Sequence, residues 1–226
     1  MNILITGATG FVGRHLIPDL IEAGHQLVCV VRDIDKARAL YGNKVSYIQT
    51  NGMHSILGYK PECCIHLASF LTSKNDENTS KKIVEANLVF GCELLNVLKD
   101  CHSLKLFLNF GSSAEYRMGP SLIDPAYLYS ATKTAFKQIV EYYADVTPFK
   151  YIHIIPYTIY GGVDTQKKVI DFLKSSLDAT VPIEMTKGEQ ILDFIHVMDV
   201  VSFISHIITH SDLFIKSSNI DYHLGT

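Results

Sequence analysis

The sequence lacks the features of several protein classes. Its net charge is −3 and its four Arg are scattered, so it offers no basic field for nucleic acid. Its apolar runs are far shorter than the ~20 residues that a membrane-spanning helix needs. A strand is predicted from residue 2, which leaves no room for a signal peptide. We therefore expect a cytoplasmic protein that binds neither nucleic acid nor membrane.

Metal sites and disulfides are also not expected. The five cysteines have no metal-ligand spacing, are odd in number and lie mostly in apolar runs, which is typical of reduced core residues. They are Cys29, Cys63, Cys64, Cys92 and Cys101. His206 and His210 have an i, i+4 spacing, but no third ligand accompanies them. We interpret them as a pair on a helix surface.

Short apolar runs alternate along the chain with longer helical patterns, which indicates βαβ units and a parallel sheet covered on both faces. Strands are predicted at 2–6, 26–32, 45–50, 63–69, 104–113, 151–161 and 220–226. Helices are predicted at 11–24, 76–100, 126–147, 165–179 and 197–210. The predicted fold is a doubly wound α/β domain with a sheet of about seven strands.

A glycine-rich turn lies between the first strand and the first helix. Gly7 permits a tight turn, Gly10 lets the backbone approach a pyrophosphate, and Gly13 lets helix and strand pack closely. The start of the helix supplies free amides and a partial positive charge to phosphate groups. This strand–turn–helix context predicts a Rossmann dinucleotide-binding site.

The end of the second predicted strand bears on the choice of dinucleotide. An acidic residue there accepts hydrogen bonds from the adenosine ribose and favours NAD, whereas an Arg can pair with the 2′-phosphate of NADP. This chain has Arg32 followed by Asp33. A strand that ends at Val31 gives Arg32 the better position, although an Arg here can also be a solvated loop residue. We expect NADP(H), with NAD(H) as the alternative.

The motifs, in their order, resemble the extended short-chain dehydrogenase/reductase family, which includes nucleotide-sugar epimerases, dehydratases and 4-keto-reductases. The segments are TGATGFVG (6–13), IHLAS (65–69), NLVFGCELLNV (87–97), NFGSSAEY (109–116), YSATK (129–133), IYGG (159–162) and GEQILDFIHVMDVV (188–201). The last of these and the closing YHLGT (222–226) look most like bacterial nucleotide-deoxysugar 4-keto-reductases or synthases. The resemblance implies further cofactor-binding residues, which are Thr9, Phe11, Val12, Asn51, Leu67, Ala68, Ser69, Asn87, Pro156 and Tyr157.

Tyr129 and Lys133 share one face of a predicted helix because they are four residues apart. The family keeps its catalytic pair after the fifth strand, as this chain does. The resemblance therefore implies that Tyr129 is the general acid/base and that Lys133 also holds the nicotinamide ribose. A free tyrosine has a pKa of about 10. Because an ammonium and the cationic nicotinamide ring both favour the phenolate, we expect Lys133 and the bound cofactor together to lower the pKa of Tyr129.

The third member implied by the resemblance is a serine that hydrogen-bonds the reacting oxygen. Counting from the end of the fifth strand gives Ser113, whereas counting back from Tyr116 gives Ser112. We choose Ser113 and keep Ser112 as the rival. A dehydratase normally carries an acidic pair just after this serine. Here Ala114 precedes a single acid, Glu115, which disfavours dehydration.

Several positions depart from the family pattern. Only 15 residues separate Ser113 from Tyr129, and Ile155 and Leu192 stand where many relatives carry Arg. The chain stops at Thr226, whereas relatives continue into a larger substrate lobe. We therefore expect a dinucleotide-binding core at 1–162, a partial substrate lobe at 163–195, and a return helix with the last strand at 196–226. Either the substrate is small, another subunit completes the site, or nucleotide-sugar turnover is lost.

Three functions follow from these observations. The first is an NADP(H)-dependent reductase of a keto-sugar attached to a nucleotide. The second is an NAD-dependent nucleotide-sugar epimerase or dehydratase. The third, from another class, is a dinucleotide-sensing protein without chemistry, which the intact Ser–Tyr–Lys set opposes. The resemblance also implies a homodimer, formed through Tyr142, Tyr143 and the apolar face around Leu94.

Overall fold

The computed structural model of the chain describes residues 1–74, 76–162, 168–177, 179–181, 184, 187–189, 191–216 and 219–225. The start of the predicted helix at 165–179, much of the predicted lobe at 163–195 and Thr226 lie outside the described residues. Seven parallel strands form the main sheet. They are β1 (Asn2–Thr6), β2 (Gln26–Val31), β3 (Ser46–Gln49), β4 (Cys63–His66), β5 (Leu106–Phe110), β6 (Lys150–Pro156) and β9 (Ile220–Leu224).

Helices connect these strands. They are α1 (Phe11–Glu22), α2 (Ile34–Tyr41), α3 (Ile56–Tyr59), α4 (Glu77–Val84), α5 (Phe90–Leu98), α6 (Leu128–Val146), α7 (Val169–Leu177), α8 (Val197–Thr209) and α9 (Ser211–Lys216). A π-helical turn at Glu85–Val89 joins α4 to α5, and short 3₁₀ turns lie at Thr50–Ser55 and Ser113–Glu115. The helix predicted at 76–100 is therefore one long element with a π turn inside it.

The strand order is β3-β2-β1-β4-β5-β6-β9, and every neighbouring pair is parallel. The order reverses between β1 and β4, which is the position where doubly wound sheets bind their ligands. The central strands carry apolar side chains on both faces, as a sheet covered by helices on both sides requires. The predicted doubly wound fold is confirmed.

Two hydrophobic cores lie on opposite faces of the sheet. On one face, alternate strand residues such as Ile3 and Ile5 pack against α1 and α8. On the other face, the intervening residues such as Leu4 and Phe107 pack against α5 and α6. The helix α6 is thereby fixed over β5 and β6, with its first turns near the carboxyl ends of these strands.

The strand predicted at 151–161 is two strands. After β6, the Tyr157 N–H still donates to the Leu224 carbonyl of β9, at 2.9 Å. The next N–H, from Thr158, donates instead to the Asp193 carbonyl, at 3.1 Å, because the chain leaves the main sheet there. Residues Thr158–Tyr160 (β7) then pair in parallel with Phe194–His196 (β8) in a small separate sheet.

Two expectations about individual residues are tested by burial. All five cysteines carry free thiols. Four of them are buried, as expected of core residues, whereas Cys92 is partly exposed. Leu94, placed by the sequence on a dimer face, is fully buried inside this chain and cannot contact a second copy. Tyr142 is exposed. Over the described part of the chain, every helix is too short or too polar to cross a membrane.

Candidate active site

The carboxyl edge of the main sheet gathers the predicted site residues. Because all seven strands are parallel, the loops that follow them open on the same edge. The loops after β1, β2, β3 and β4 carry the glycine turn, Arg32 with Asp33, Asn51, and 67–69, in that order. The loops after β5 and β6 carry the two serines and Tyr157. Asn87 reaches this edge from the π-helical turn, and Tyr129 and Lys133 reach it from α6.

The glycine turn after β1 has no room for a side chain at Gly7 or at Gly13. Gly7 has a φ of +70°, and a Cβ on it would lie 2.6 Å from the backbone N of Ala68. A Cβ on Gly13 would lie 2.6 Å from the carbonyl oxygen of Gly7. The first contact fixes the turn against the loop after β4, and the second brings the start of α1 against the turn. The bare backbone fits a pyrophosphate, as the sequence predicts.

The start of α1 presents unpaired backbone amides to this turn. The first intrahelical hydrogen bond joins the Arg14 N–H to the Gly10 carbonyl at 3.0 Å, so the amides of Phe11, Val12 and Gly13 precede the helical ladder. Gly10 is the N-cap and provides no side-chain cap, and no acidic residue occupies the first turn. An anion is therefore the natural partner of this helix end.

Two side chains that the sequence analysis did not identify brace the glycine turn. Tyr41 is buried in α2, and its hydroxyl donates a 2.5 Å hydrogen bond to the Ala8 carbonyl. The Arg14 side chain donates to the Thr9 carbonyl at 3.0 Å. Nothing in the local sequence pattern around Tyr41 indicates this contact, because it joins residues 33 positions apart.

Arg32 and Asp33 have different environments although they are adjacent. β2 ends at Val31, so Arg32 is the first residue beyond the strand, and its side chain is exposed. Asp33 is the N-cap of α2, and its carboxylate accepts a hydrogen bond from the Lys36 N–H at 2.9 Å. The preference for NADP(H) assumed a strand that ends at Val31 with Arg32 directly after it, and Arg32 has this position. The cofactor role of either residue stays a prediction.

Tyr129 is buried at the start of α6, and its hydroxyl lies near enough to the side chains of Ser69 and Ser112 for both to act on its pKa. Ser112 is the N-cap of the 3₁₀ turn, and its hydroxyl also accepts from the Ala114 N–H at 3.3 Å. The contact with Tyr129 favours Ser112 as the serine of the site. Counting from the predicted strand end had given Ser113. The reason for the difference is that β5 ends at Phe110, three residues before the predicted end.

In the protein alone the pKa of Tyr129 is raised, so Lys133 by itself does not lower it. Burial is the largest cause, the neighbouring Tyr127 and Glu115 add to it, and the hydrogen bonds from Ser69 and Ser112 oppose it. The Lys133 ammonium lies 5.9 Å from the centre of the Tyr129 ring. In the protein alone, loss of hydration therefore outweighs any stabilisation of the phenolate by this cation. Tyr129 is protonated at neutral pH.

Lys133 is almost fully buried, and burial lowers the pKa of its ammonium to about 8. The nearby Glu115 charge opposes this effect. His66 of β4 also lies close enough to interact with the ammonium, and burial followed by this cation lowers the pKa of His66 to about 3. Lys133 is thus a cation held in a largely dehydrated site, with a neutral imidazole beside it.

Asn87 connects the loop after β4 to α6. Its side chain accepts from the Phe70 N–H at 2.7 Å and donates to the Phe70 carbonyl at 3.3 Å. It also donates to the Thr132 hydroxyl at 3.1 Å, next to Lys133. Asn87 lies inside the π-helical turn, a feature that often marks functional sites. These contacts give it a positioning role, and a direct contact with the cofactor stays a prediction.

A second connection, through Thr6 and His66, joins the first strand to the loop after β4. The buried Thr6 hydroxyl accepts from the Ala68 N–H at 3.1 Å and hydrogen-bonds His66 Nδ1 at 2.9 Å. The Leu67 N–H donates to the Thr6 carbonyl at 3.3 Å. Both residues lie in apolar strands, so periodicity alone cannot identify them. They fix the backbone that contacts the glycine turn.

The remaining predicted contacts line the two ends of this edge. Asn51 is exposed in the 3₁₀ turn after β3, beyond Arg32. Pro156 is buried at the end of β6, and Tyr157 is half-buried with its ring 6.2 Å from that of His223. Their places are compatible with an adenine end and a nicotinamide end, and their roles stay predictions. The strand order and the bare glycine turn define a Rossmann dinucleotide-binding domain.

Comparison with known proteins gives the family. A model of the NAD dependent epimerase/dehydratase family matches residues 3–225, and the chain belongs to this family. The chain is 23% identical over 212 residues to the CDP-abequose synthase of Yersinia pseudotuberculosis, covering 92% of this chain and 74% of that protein. It is 28% identical over 208 residues to the CDP-abequose synthase of Salmonella typhimurium, covering 88% and 67%.

Solved structures agree on the fold. A UDP-glucuronic acid 4-epimerase variant from Bacillus cereus, in complex with UDP-4-deoxy-4-fluoro-glucuronic acid and NAD, superposes with a TM-score of 0.85 at 17% identity. The match covers 100% of this chain and 77% of the epimerase chain. The resemblance inferred from the motifs is confirmed, and the chain is an NAD(P)-dependent enzyme of the oxidoreductase/epimerase class. At this identity the structural match supports the fold alone.

Proposed function

We propose that this protein is an NADP(H)-dependent reductase of a keto-sugar attached to a nucleotide, of the nucleotide-deoxysugar type. The observation that carries the proposal is the buried Tyr129–Lys133 pair beside Ser112, at the carboxyl edge that also presents the glycine turn. The two CDP-abequose synthases among the relatives support a nucleotide-linked deoxysugar as the substrate class.

The side chains of the site fit ketone reduction. The reduced nicotinamide, when bound, supplies the hydride. Tyr129 donates its phenolic proton to the oxygen that was the carbonyl, and Ser112 orients this oxygen with its hydroxyl. The Lys133 ammonium stabilises the phenolate that this proton transfer leaves behind. Tyr129 is protonated at neutral pH, as the donor of this proton must be.

Arg32 supports NADP(H) as the cofactor. Its guanidinium stands immediately beyond β2, is exposed, and is long and planar enough to pair with a 2′-phosphate in two parallel hydrogen bonds. The adjacent Asp33, which would favour NAD, already caps α2 with one carboxylate oxygen. The glycine turn would hold the pyrophosphate of either dinucleotide, so the discrimination would come from Arg32.

The second candidate is an NAD-dependent epimerase of a nucleotide sugar. The observation that favours it is the match of residues 3–225 to the NAD dependent epimerase/dehydratase family. Dehydration is less well supported, because it normally uses two adjacent acids after the serine. The turn after β5 has only Glu115, and both oxygens of its carboxyl group already accept hydrogen bonds from the protein.

The test is a pair of assays with the purified chain. In the first, CDP-abequose and NADP⁺ are supplied, and NADPH formation reports the reverse of the proposed reduction. In the second, UDP-glucuronic acid and NAD⁺ are supplied, and the product is analysed for the C4 epimer. Calorimetric titrations with NADPH and NADH, side by side, identify the cofactor that binds more tightly.

NADPH formation from CDP-abequose, together with tighter binding of NADPH, is the expected result. Epimer formation with NAD⁺, or NAD already bound to the purified chain, would replace the reductase proposal with the epimerase. Absence of binding by both dinucleotides would contradict both candidates. An unrelated CDP-linked sugar of the same charge is the control for nonspecific oxidation in the first assay.

We further propose that the chain forms a homodimer through the outer faces of α4, the π-helical turn after it, and α6. The exposed apolar side chains there support this: Val84, Val89, Tyr142 and Val146. Light scattering of wild type and of Tyr142→Glu is the test. A dimer that the substitution dissociates is expected, and a wild-type monomer at high concentration would contradict the proposal.

A further inference from the structure

Glu115 is a carboxyl group with 1% exposure, and nearly all of its environment is protein. It is the last residue of the 3₁₀ turn after β5. One oxygen accepts a hydrogen bond from the Ser112 N–H at 2.7 Å, and the other accepts from the Thr134 hydroxyl at 2.8 Å. A buried carboxyl group costs free energy, which these hydrogen bonds offset only in part. A role for Glu115 in the site would explain why the fold keeps it there.

The two partners of Glu115 belong to the two halves of the candidate active site. Ser112 is the serine whose hydroxyl reaches Tyr129. Thr134 follows Lys133 directly on α6. A single side chain therefore connects the turn that carries the serine to the helix that carries the Tyr–Lys pair.

The fit around the carboxyl group is close. A Cβ on Gly111 would lie 2.7 Å from the Glu115 Oε1 and 2.5 Å from the His153 Nε2, so both atoms face the space that a side chain would fill. The His153 Nε2 is buried and has no hydrogen-bond partner among the described residues. Glu115 thus lies between the serine turn, α6 and β6, and it cannot move aside without disturbing all three.

The charges that face Glu115 come from several elements. Burial raises the pKa of Glu115, and the hydrogen bonds from Thr134 and Ser112, followed by the positive charges of Lys133 and Lys137 on α6, oppose this effect. Tyr129 also lies on α6, and the Glu115 charge contributes to its raised pKa. His153 of β6 is held neutral by burial, with its pKa lowered to about 3. Lys133 interacts in addition with His66 of β4.

We propose that Glu115 is a positioning residue: its carboxyl group fixes the serine turn to α6 and, through its bond to Thr134, places a negative charge next to Lys133. Its role differs from that of an acid that contacts substrate, because its oxygens bind Ser112 and Thr134. The inference rests on the proposed function for the role of Ser112, Tyr129 and Lys133. The effect of the Glu115 charge on the protonation of Lys133 can be measured without turnover.

Glu115→Gln and Thr134→Val separate the two effects. In Glu115→Gln the amide oxygen can still accept from the Ser112 N–H, and the amide nitrogen can donate to the Thr134 hydroxyl. That hydroxyl can then donate fully to the Ser130 carbonyl, which it already contacts at 3.3 Å. The connection is kept and the charge is lost. Thr134→Val keeps the carboxyl group and breaks its bond to α6, with little change in volume.

The charge is measured by NMR of protein labelled with ¹⁵N-lysine, with Lys133→Met to assign the signal. In wild type the Lys133 ammonium is expected to titrate with a pKa of about 8. In Glu115→Gln it is expected to titrate about one pH unit lower, because a nearby negative charge is removed. An unchanged titration overturns this part of the inference, whether or not the protein oxidises CDP-abequose.

The connection is measured by kinetics with CDP-abequose and NADP⁺. Thr134→Val is expected to lower kcat by about 10-fold, because the serine and the tyrosine lose their fixed spacing. Glu115→Gln is expected to keep kcat at its optimum within about threefold, with both limbs of the pH profile at lower pH. The inference is overturned if Thr134→Val keeps the wild-type kcat, or if Glu115→Gln keeps the wild-type pH profile. Inactive wild type instead contradicts the proposed function, and the NMR titration still decides the inference.

Discussion

The glycine turn gives a prediction that separates backbone strain from loss of space. Gly7 and Gly24 both have positive φ, at +70° and +80°. A Cβ on Gly7 would lie 2.6 Å from backbone atoms of Ala68 and Leu67, whereas a Cβ on Gly24 would have no atom within 4 Å. Gly24→Ala therefore adds backbone strain only. Gly7→Ala adds the same strain and a clash with the loop after β4.

The magnitudes follow from these contacts. An alanine in the left-handed region costs about 1–2 kcal/mol, and the stiffer unfolded chain offsets about 0.4–1 kcal/mol of that. Gly24→Ala should thus lower the free energy of unfolding by about 1 kcal/mol. Overpacking against backbone adds about 1–3 kcal/mol, so Gly7→Ala should lower it by about 2–4 kcal/mol. Each kcal/mol corresponds to about 2–4 °C in Tm for a chain of this size.

The assay is urea unfolding of the two variants, followed by calorimetric titration with NADPH at a temperature where both are folded. Gly7→Ala should bind NADPH at least about 10-fold more weakly, because the turn that meets the pyrophosphate must shift. Gly24→Ala, which lies at the far end of α1, should bind like wild type. Equal stability of the two variants, with wild-type affinity in Gly7→Ala, would refute the reasoning.

Three further predictions concern charge. Arg32→Ala should weaken NADPH binding by about 10–100-fold, because a charge-assisted pair with the 2′-phosphate is lost. NADH binding, measured by calorimetry in parallel, should be unchanged. Lys133→Met should raise Tm at neutral pH while abolishing activity, because the buried ammonium is removed. This gain should fade as the pH rises from about 8 to about 10.5, where wild-type Lys133 becomes neutral in the unfolded chain too. His66 and His153, each with a pKa lowered to about 3, should make urea-measured stability fall as the pH drops below about 6.5, and His66→Asn should reduce that slope.

The features that the sequence predicted correctly are local ones. The apolar runs define the seven strands because a covered parallel strand is apolar throughout its length. The glycine turn is recognisable because all three glycines lie within seven consecutive residues, 7–13. Tyr129 and Lys133 share a helical face through their spacing alone. None of these inferences requires knowledge of which distant residues meet.

The features that the sequence missed depend on distant contacts or on exact element ends. The choice between Ser112 and Ser113 required the true end of β5, which lies three residues before its predicted end. The raised pKa of Tyr129 could not be predicted without knowing that its side chain is buried, because burial outweighs the effect of Lys133. The carboxyl group of Glu115 reaches Thr134, 19 residues away, and no local pattern indicates that contact.

The central claim is that Tyr129 transfers the proton in a dinucleotide-dependent reaction, and Tyr129→Phe tests it most directly. The measurement is the rate of NADPH formation from CDP-abequose and NADP⁺ by wild type and variant, with calorimetry to verify that both bind NADPH equally. The account predicts a loss of about 10²–10⁴-fold in rate with unchanged cofactor affinity. A variant that turns over CDP-abequose within a few-fold of the wild-type rate would contradict it.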